Sequence, residues 1–236
     1  MPTTPDFLTT FLTRILEKVP GVSTDDLTAA QVTANLQQAI REYSRNVPLV
    51  VTVNINGDGN YEYTIPTGWV PGFSAIQQIE YPAGIAQTPS DNIIAPEKYG
   101  VYNNATVDRL RFFDTAPGSG NIARVTFTTV HSVVTAASTI FSNDFDSVCS
   151  LAAAFCCFDL ARRYGQDNDS FISADSVDRR SKSDKFLSLG KSLVNEFSIH
   201  FGLNKDVEIV AASGTKNLDM YYPGGIDFLT HPAVDR

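Results

Sequence analysis

The chain has 236 residues and a formal charge of −8, with 43% hydrophobic and 19% charged residues. This composition excludes wholesale disorder, because the apolar share is large enough to build a sizeable core. The acidic balance excludes a generally basic nucleic-acid binder, since an acidic surface repels a polyanion. No secretory signal is visible at the start, and the longest apolar run, Leu151 to Phe158, is too short to cross a bilayer.

Two amphipathic helices are predicted first. Apolar residues from 7 to 16 form one stripe, Asp6 can cap its start, and Pro20-Gly21 ends it. A second helix is predicted from about Asp25 to Arg45, before Pro48. The two form a helical hairpin that has to bury its stripes against another part of the protein.

The hydrophobic period then changes from 3.6 to 2. Residues 51–55 and 61–65 alternate on either side of the turn sequence Gly57-Asp58-Gly59-Asn60, which predicts a β-hairpin. Further strands are predicted at Phe73–Tyr81, Leu110–Phe113 and Ile122–Val130.

Helical periodicity resumes at Asn143 in a segment rich in Ala and Cys, which predicts a helix surrounded by neighbours. A last helix is predicted from Ala174 to Phe201, with Gly202 as its C-cap and a polar first half, 175–185, that faces solvent or a wet partner surface. The remaining residues contain a short strand candidate, Val207–Val210. They also keep large apolar groups that solvated termini usually lack, namely Tyr221, Tyr222, Phe228 and Leu229.

The predicted fold class is therefore α+β, a helical bundle of about four helices with a β-rich insertion and an extended C-terminal tail. Its predicted segments are an N-terminal helical hairpin (1–48), the β-rich insertion (49–141), two long helices completing the bundle (142–202) and a docking tail (203–236).

Residues that could carry catalysis or bind metal are few, and no catalytic or cofactor-binding residue is predicted. No hydrolase, zinc-protease or P-loop motif is present. An EF-hand fails because Ile65 stands where a bidentate Glu is required. The remaining candidates have ordinary structural interpretations: packed helix thiols, surface or packing imidazoles, and first-turn helix acids. These are Cys149, Cys156 and Cys157; His131, His200 and His231; and Asp144 and Asp146. The odd, clustered cysteines also suit synthesis in a reducing cytoplasm.

The cations are unevenly placed, with seven of the eighteen Lys and Arg residues between 162 and 191. Six aspartates between 159 and 184 offset them, which favours a mixed solvated face or intersubunit salt bridges over DNA phosphate binding. The candidate intersubunit contacts are Arg162, Arg163, Arg179, Arg180, Lys182 and Lys185.

The order of several motifs resembles the head-to-tail connector, or adaptor, proteins of tailed bacteriophages. The resemblance covers nearly the whole chain and is most specific in its second half. Its motifs, in chain order, are Leu36-Gln-Gln-Ala-Ile40-Arg-Glu-Tyr43-Ser44, Tyr63-Thr-Ile-Pro66 before Trp69, Phe73-Ser-Ala-Ile76, Ile79-Glu80-Tyr81-Pro82, Leu110-Arg-Phe112, Pro117-Gly118, Val125-Thr-Phe127, His131, Leu151-Ala-Ala-Ala154, Leu160-Ala161, and Ala174-Asp175-Ser-Val177-Asp178-Arg-Arg-Ser181-Lys182-Ser183.

The resemblance implies a non-enzymatic virion protein that forms a ring, commonly of about twelve copies, beneath the portal of the DNA-filled head. The chain would be made in the host cytoplasm and located in the neck. Its partners would be its own copies, the portal protein, a tail or neck protein, and DNA that passes through the lumen without sequence-specific binding. No membrane partner is expected.

Two sets of docking residues are expected in such a ring. The aromatic residues of the tail, Tyr221, Tyr222 and Phe228, with Leu229, are candidates for docking to the portal or a neighbouring subunit. Gly57, Asp58 and Gly59, and the loop from Ala83 to Pro96, are candidates for contact with the next tail component. Two other functions stay open: a tail-associated receptor-recognition module, and a hydrolase around Asp144 or Asp146.

Overall fold

The computed structural model describes residues 6–21, 26–84, 92–104, 107–166 and 174–203, although not the side chains of 104 and 174–181. Within these residues the fold is mixed α+β, with four α-helices and nine strands that pair only antiparallel. The helices are α1 (Phe7–Lys18), α2 (Ala29–Asn46), α3 (Phe145–Gln166) and α4 (Ala174–His200). The strands are β1 (Leu49–Asn56), β2 (Glu62–Thr64), β3 (Ile76–Glu80), β4 (Ile93–Ile94), β5 (Tyr99–Asn104), β6 (Val107–Phe112), β7 (Ile122–Thr129), β8 (Val133–Val134) and β9 (Ala137–Ser138).

The starts of the first two helices are set by side-chain caps. Asp6 accepts a hydrogen bond from the backbone N–H of Thr9 at 3.0 Å, as predicted. Helix α2 begins four residues later than predicted, because Thr28 and Gln31 form a reciprocal capping box. Helix α1 ends at Lys18, two residues before Pro20.

Helix α3 is buried on nearly every side, which confirms the prediction from its small residues. It begins at Phe145, after a 3-10 turn at Ser142–Asp144. All four helices and Ile140 contribute to one buried apolar cluster around it. The members from α3 are Val148, Cys149, Leu151, Ala152, Ala153, Ala154, Cys156, Cys157 and Leu160.

Helix α4 lies against α3 through an apolar stripe, which includes Leu193 and Phe197. The two helices approach closely at Gly190, where an added Cβ would lie 2.6 Å from the ring of Phe158. Gly202 has φ +63° and ends the helix, with the N–H of Leu203 donating to the carbonyl of Ser198 at 2.7 Å.

The strands form a four-stranded sheet in the order β1-β7-β3-β4, a three-stranded sheet in the order β2-β6-β5, and the short pair β8-β9. The two larger sheets share a second apolar cluster. In β7 the residues Ala123, Val125, Phe127 and Thr129 are buried, which is the alternation of a strand that faces a core on one side.

The predicted β-hairpin is wrong. Strand β1 pairs along all eight residues with β7, whereas β2 pairs with β6 in the other sheet. The turn after β1 therefore carries the chain from one sheet to the other. Alternation specified the buried face of each strand correctly, but long β7 offers β1 a far more extensive partner than three-residue β2.

The other predicted strands differ from the observed ones by a few residues at their ends, and β4, β5, β8 and β9 are not predicted from the sequence. The predicted strands at Phe73–Tyr81, Leu110–Phe113 and Ile122–Val130 correspond to β3, β6 and β7. Strand β5 was missed because its sequence, Tyr-Gly-Val-Tyr-Asn-Asn, contains residues that usually mark turns.

Candidate functional site

A polar cluster lies where α2, α4 and the 3-10 turn before α3 meet. Asp144 accepts a hydrogen bond from the hydroxyl of Tyr43 at 2.8 Å, and its other oxygen lies 2.8 Å from Nε2 of His200. We call Tyr43, Ser44, His131, Asp144 and His200 the junction cluster. Burial, and then the hydrogen bond to Asp144, raise the pKa of Tyr43, so its hydroxyl remains a donor at neutral pH.

His131 joins the strands to the helices within this cluster. Its backbone N–H donates to Oγ of Ser44 at 2.9 Å, while its ring nitrogens lie 2.8 Å from the carbonyl of Thr139 and 3.0 Å from that of Val47. Burial lowers the pKa of His131 despite these two carbonyls. The residue is 2% exposed, which agrees with the packing interpretation.

The junction cluster resembles a relay of acid and base groups, but each group has a role in packing. The ring of Tyr43 contacts the rings of His131 and Phe201, with centroids 4.8 and 5.6 Å apart. Both oxygens of Asp144 are hydrogen-bonded to neighbouring helices. Sequence reasoning had singled out Asp144 and His200 separately, and nothing in their spacing indicated that they meet.

Asp146, the second carboxylate considered for hydrolysis, connects α1 to α3. Its oxygens lie 2.8 Å from Nε of Arg14 and 2.9 Å from Nζ of Lys18. Partial burial opposes its ionisation, but the hydrogen bonds and charges of the two cations outweigh burial, so the pKa of Asp146 lies below its usual value. This carboxylate is therefore a stable anion, whereas a general acid at neutral pH needs a raised pKa.

The three thiols are buried, as predicted, and burial raises the pKa of each one. The values are about 12 for Cys149, about 11 for Cys156 and about 12 for Cys157. A nucleophilic cysteine needs the opposite shift. The side-chain amide of Asn35 donates to Asp159 at 3.0 Å and lies 3.4 Å from the sulfur of Cys156, a buried polar contact that sequence reasoning missed.

The candidate intersubunit cations have different surroundings. Arg162 pairs with Asp159 on its own helix at 3.1 Å. Arg163 donates to the backbone carbonyl of Asp26 at 2.9 Å, so it stabilises the connection before α2. Lys182 lies over the ring of Tyr164, with 5.9 Å from Nζ to the centroid, and Lys185 is exposed. The side chains of Arg179 and Arg180 lie outside the described residues.

The candidate tail-side residues Gly57, Asp58 and Gly59 lie in the turn that connects the two sheets. Gly57 and Gly59 donate their N–H groups to the carbonyls of Asn121 and Pro117, at 2.8 and 2.9 Å. Asp58 accepts from the N–H of Asn60 at 2.9 Å, and this bond and the Asn60 side chain help to lower its pKa. Asp58 and Gly59 are exposed, whereas Gly57 is half-buried against the turn at 117–118.

The docking candidates of the tail, Tyr221, Tyr222, Phe228 and Leu229, lie outside the described residues. The same is true of His231 and of the strand candidate Val207–Val210. The loop from Ala83 to Pro96 is described only at its two ends.

The described residues line several clefts. One of about 400 Å³ lies beside Tyr81, Asn92 and Lys98, and its described lining has no carboxylate. Another, of about 360 Å³, lies between Phe7, Phe11 and Phe145. No group of three or more His, Cys, Asp or Glu in the described part of the chain is placed to hold a metal ion.

None of the described helices combines the length and the apolar composition that a membrane span requires. Comparison of the sequence with known proteins gives no match, either to a family model or to a curated protein.

Proposed function

We propose that this chain is a head-to-tail adaptor of a tailed bacteriophage, a structural protein that forms a ring under the portal and joins the DNA-filled head to the tail. The proposal includes a specific architecture, in which α1–α4 form a bundle and the β-rich segment is an insertion between α2 and α3. It rests on the ordered motifs of the sequence, which fall within these elements.

The observation that carries the proposal is where the chain places its polar and its apolar side chains. In the described residues, the two carboxylates considered for hydrolysis have structural partners: Asp144 is hydrogen-bonded within the junction cluster, and Asp146 is paired with cations of α1. Large apolar side chains instead lie at the surface, including Phe113 at 53% and Phe141 at 55% exposure. The pairing of these carboxylates disfavours the hydrolase around Asp144 or Asp146, and the exposed apolar side chains are available for contact with other chains.

The acidic total suits the proposed position. Copies of a chain with net charge −8 would surround the DNA conduit with a repulsive surface. DNA could then slide through the ring, because an acidic surface does not bind phosphates. A surface rich in cations would instead hold the DNA strongly at low salt.

The decisive experiment measures assembly with the purified portal protein. Native mass spectrometry and electron microscopy should show a closed ring of about twelve copies seated on the portal. A portal-independent trimer would support the receptor-recognition module instead. A monomer that never binds portal would refute the adaptor.

The intersubunit surface can be tested on α4. Lys185→Glu should weaken ring formation, since it reverses an exposed charge in the cationic segment. Arg41→Glu makes the same change at an exposed position of α2, outside the cationic segment, and serves as the control. Equal assembly of the two variants would remove Lys185 from the interface.

The tail-side surface can be tested at the turn after β1. Deleting residues 57–59 would also remove their contacts with the turn at 117–121, so a substitution at exposed Asn60 is preferable. Asn60→Arg should leave portal binding intact and reduce the joining of tails to filled heads. The control is Gln38→Arg on exposed α2 surface, and normal tail joining by Asn60→Arg would refute the assignment.

A further inference from the structure

Strand β1 lies at one edge of the four-stranded sheet that the described residues form. Its inner side pairs with β7 along all eight residues, and its outer side has no strand partner among the described residues. Natural edge strands usually carry a charge, a proline or a bulge that discourages further pairing. Residues 49–56 have no charge and no proline, and their register with β7 is unbroken. The strand therefore presents a continuous row of N–H and C=O groups to another strand.

The apolar core is also incomplete along this edge. Val51, Val53 and Ile55 contact the cluster between the two sheets but are only half-buried, whereas Val125 and Phe127 on β7 are fully buried. One more strand with apolar residues at alternate positions would cover the exposed sides of Val51, Val53 and Ile55.

The described chain ends close to where β1 begins. Phe201 packs against Tyr43, Tyr43 packs against His131, and a ring nitrogen of His131 lies 3.0 Å from the carbonyl of Val47. Val47 is two residues before β1. The residues after Leu203 thus start at the end of the molecule from which β1 departs.

We propose that residues 206–211 add to the outer edge of β1 in the same molecule, as a parallel fifth strand of the sheet. The direction follows because both segments begin at the same end of the molecule. In the sequence Asp-Val-Glu-Ile-Val-Ala, Val207, Ile209 and Ala211 share one face with two-residue spacing, and this face covers the half-buried side of β1. Asp206 and Glu208 then face solvent beside Thr52 and Asn54.

Hydrogen exchange of the full-length chain tests the pairing. Every second N–H of β1 points away from β7, and these amides should be protected only when the added strand is present. In the variant Ile209→Pro/Val210→Pro, these β1 amides should exchange at least about tenfold faster. Consecutive N–H groups of a strand point in opposite directions, so one of the two prolines removes a hydrogen bond to β1. Ser213→Pro/Gly214→Pro, just beyond the strand, is the matched control. Unchanged protection in the first variant would overturn the proposal.

Disulfide trapping tests whether the strand comes from the same molecule. Thr52→Cys is combined in turn with Asp206→Cys, Glu208→Cys or Val210→Cys, which share the outward face. An intramolecular disulfide should form in at least one pair. Asn103→Cys on the edge of the other sheet, with the same partners, should form none. Crosslinked dimers, or trapping equal to that of the Asn103 pairs, would overturn the proposal. Because both readouts use the isolated chain, they stand whether or not the protein binds a portal.

Discussion

The close approach of α3 and α4 makes Gly190→Ala a sharp test of the helical packing. The new Cβ would lie 2.6 and 2.9 Å from two ring atoms of Phe158, well inside van der Waals contact. At an open helix position this substitution stabilises by about 1 kcal/mol, because alanine has the higher helix propensity. Forcing a methyl group into a packed contact costs about 1–3 kcal/mol. We therefore expect a net loss of unfolding free energy of about 1 kcal/mol.

The matched control is Gly165→Ala near the end of α3. There the new Cβ would meet only Oγ of Ser183 at 3.5 Å, an ordinary contact, so stability should stay constant or rise slightly. Urea denaturation followed by far-UV circular dichroism gives both values if the denaturant slope is unchanged. For a chain of this size, a loss of about 1 kcal/mol lowers the Tm by about 2–4 °C.

A double-mutant cycle identifies the cause of the loss. Phe158→Ala removes the ring, and in that background Gly190→Ala should stabilise by up to about 1 kcal/mol. The packing argument would be refuted if Gly190→Ala stabilised the protein with Phe158 present, or destabilised it equally with Phe158 absent.

Three further predictions concern the turn, the junction cluster and the thiols. Gly57→Ala should cost about 2–3 kcal/mol of unfolding free energy, because the new Cβ would lie 2.6 Å from the backbone oxygen of Pro117. The control is Gly59→Ala, whose Cβ meets no neighbour and whose cost comes only from a positive φ. A smaller loss for Gly57→Ala than for Gly59→Ala would contradict the prediction. The lowered pKa of His131 means that the unfolded chain takes up this proton first as pH falls below about 6.5. Urea titrations at pH 7.5 and 5.5 should therefore show wild-type stability decreasing more than that of His131→Asn, and equal decreases would rule out the buried neutral imidazole. Iodoacetamide at pH 8 should alkylate the native thiols at least about a hundredfold more slowly than in urea, measured by mass spectrometry, and rapid native labelling would show that they are accessible thiolates. These thiols are Cys149, Cys156 and Cys157.

The helices could be predicted from the sequence because their determinants are local. The cap at Asp6, the stripe of α4 and the terminal Gly202 each lie within a few residues of the structure that they specify. The start of α2 was misplaced for an equally local reason, because Asp25 and Thr28 are both acceptable caps. Only Thr28 has a glutamine three residues later to complete the box.

The sheet pairing and the junction cluster could not be predicted, because both depend on residues far apart in the chain. Alternation in β1 indicates which side chains face inward, but it does not indicate that the partner is β7, whose residues lie some seventy positions away. Asp144 meets Tyr43 across 101 positions and His200 across 56. A carboxylate near the start of a helix has a sufficient local explanation, so the sequence contains no reason to look further.

The placement of His131 has a mechanical consequence. The chain passes from the helices to the larger sheets through Val47 and returns after β7 through His131, and hydrogen bonds from the backbone and ring of His131 clamp these two passages together. The sheets and the helices are thus joined by two chain passages that are hydrogen-bonded to each other. A force that tilts the sheets against the helices would have to break those hydrogen bonds. A force applied to the strands would therefore be transmitted to α2 through His131.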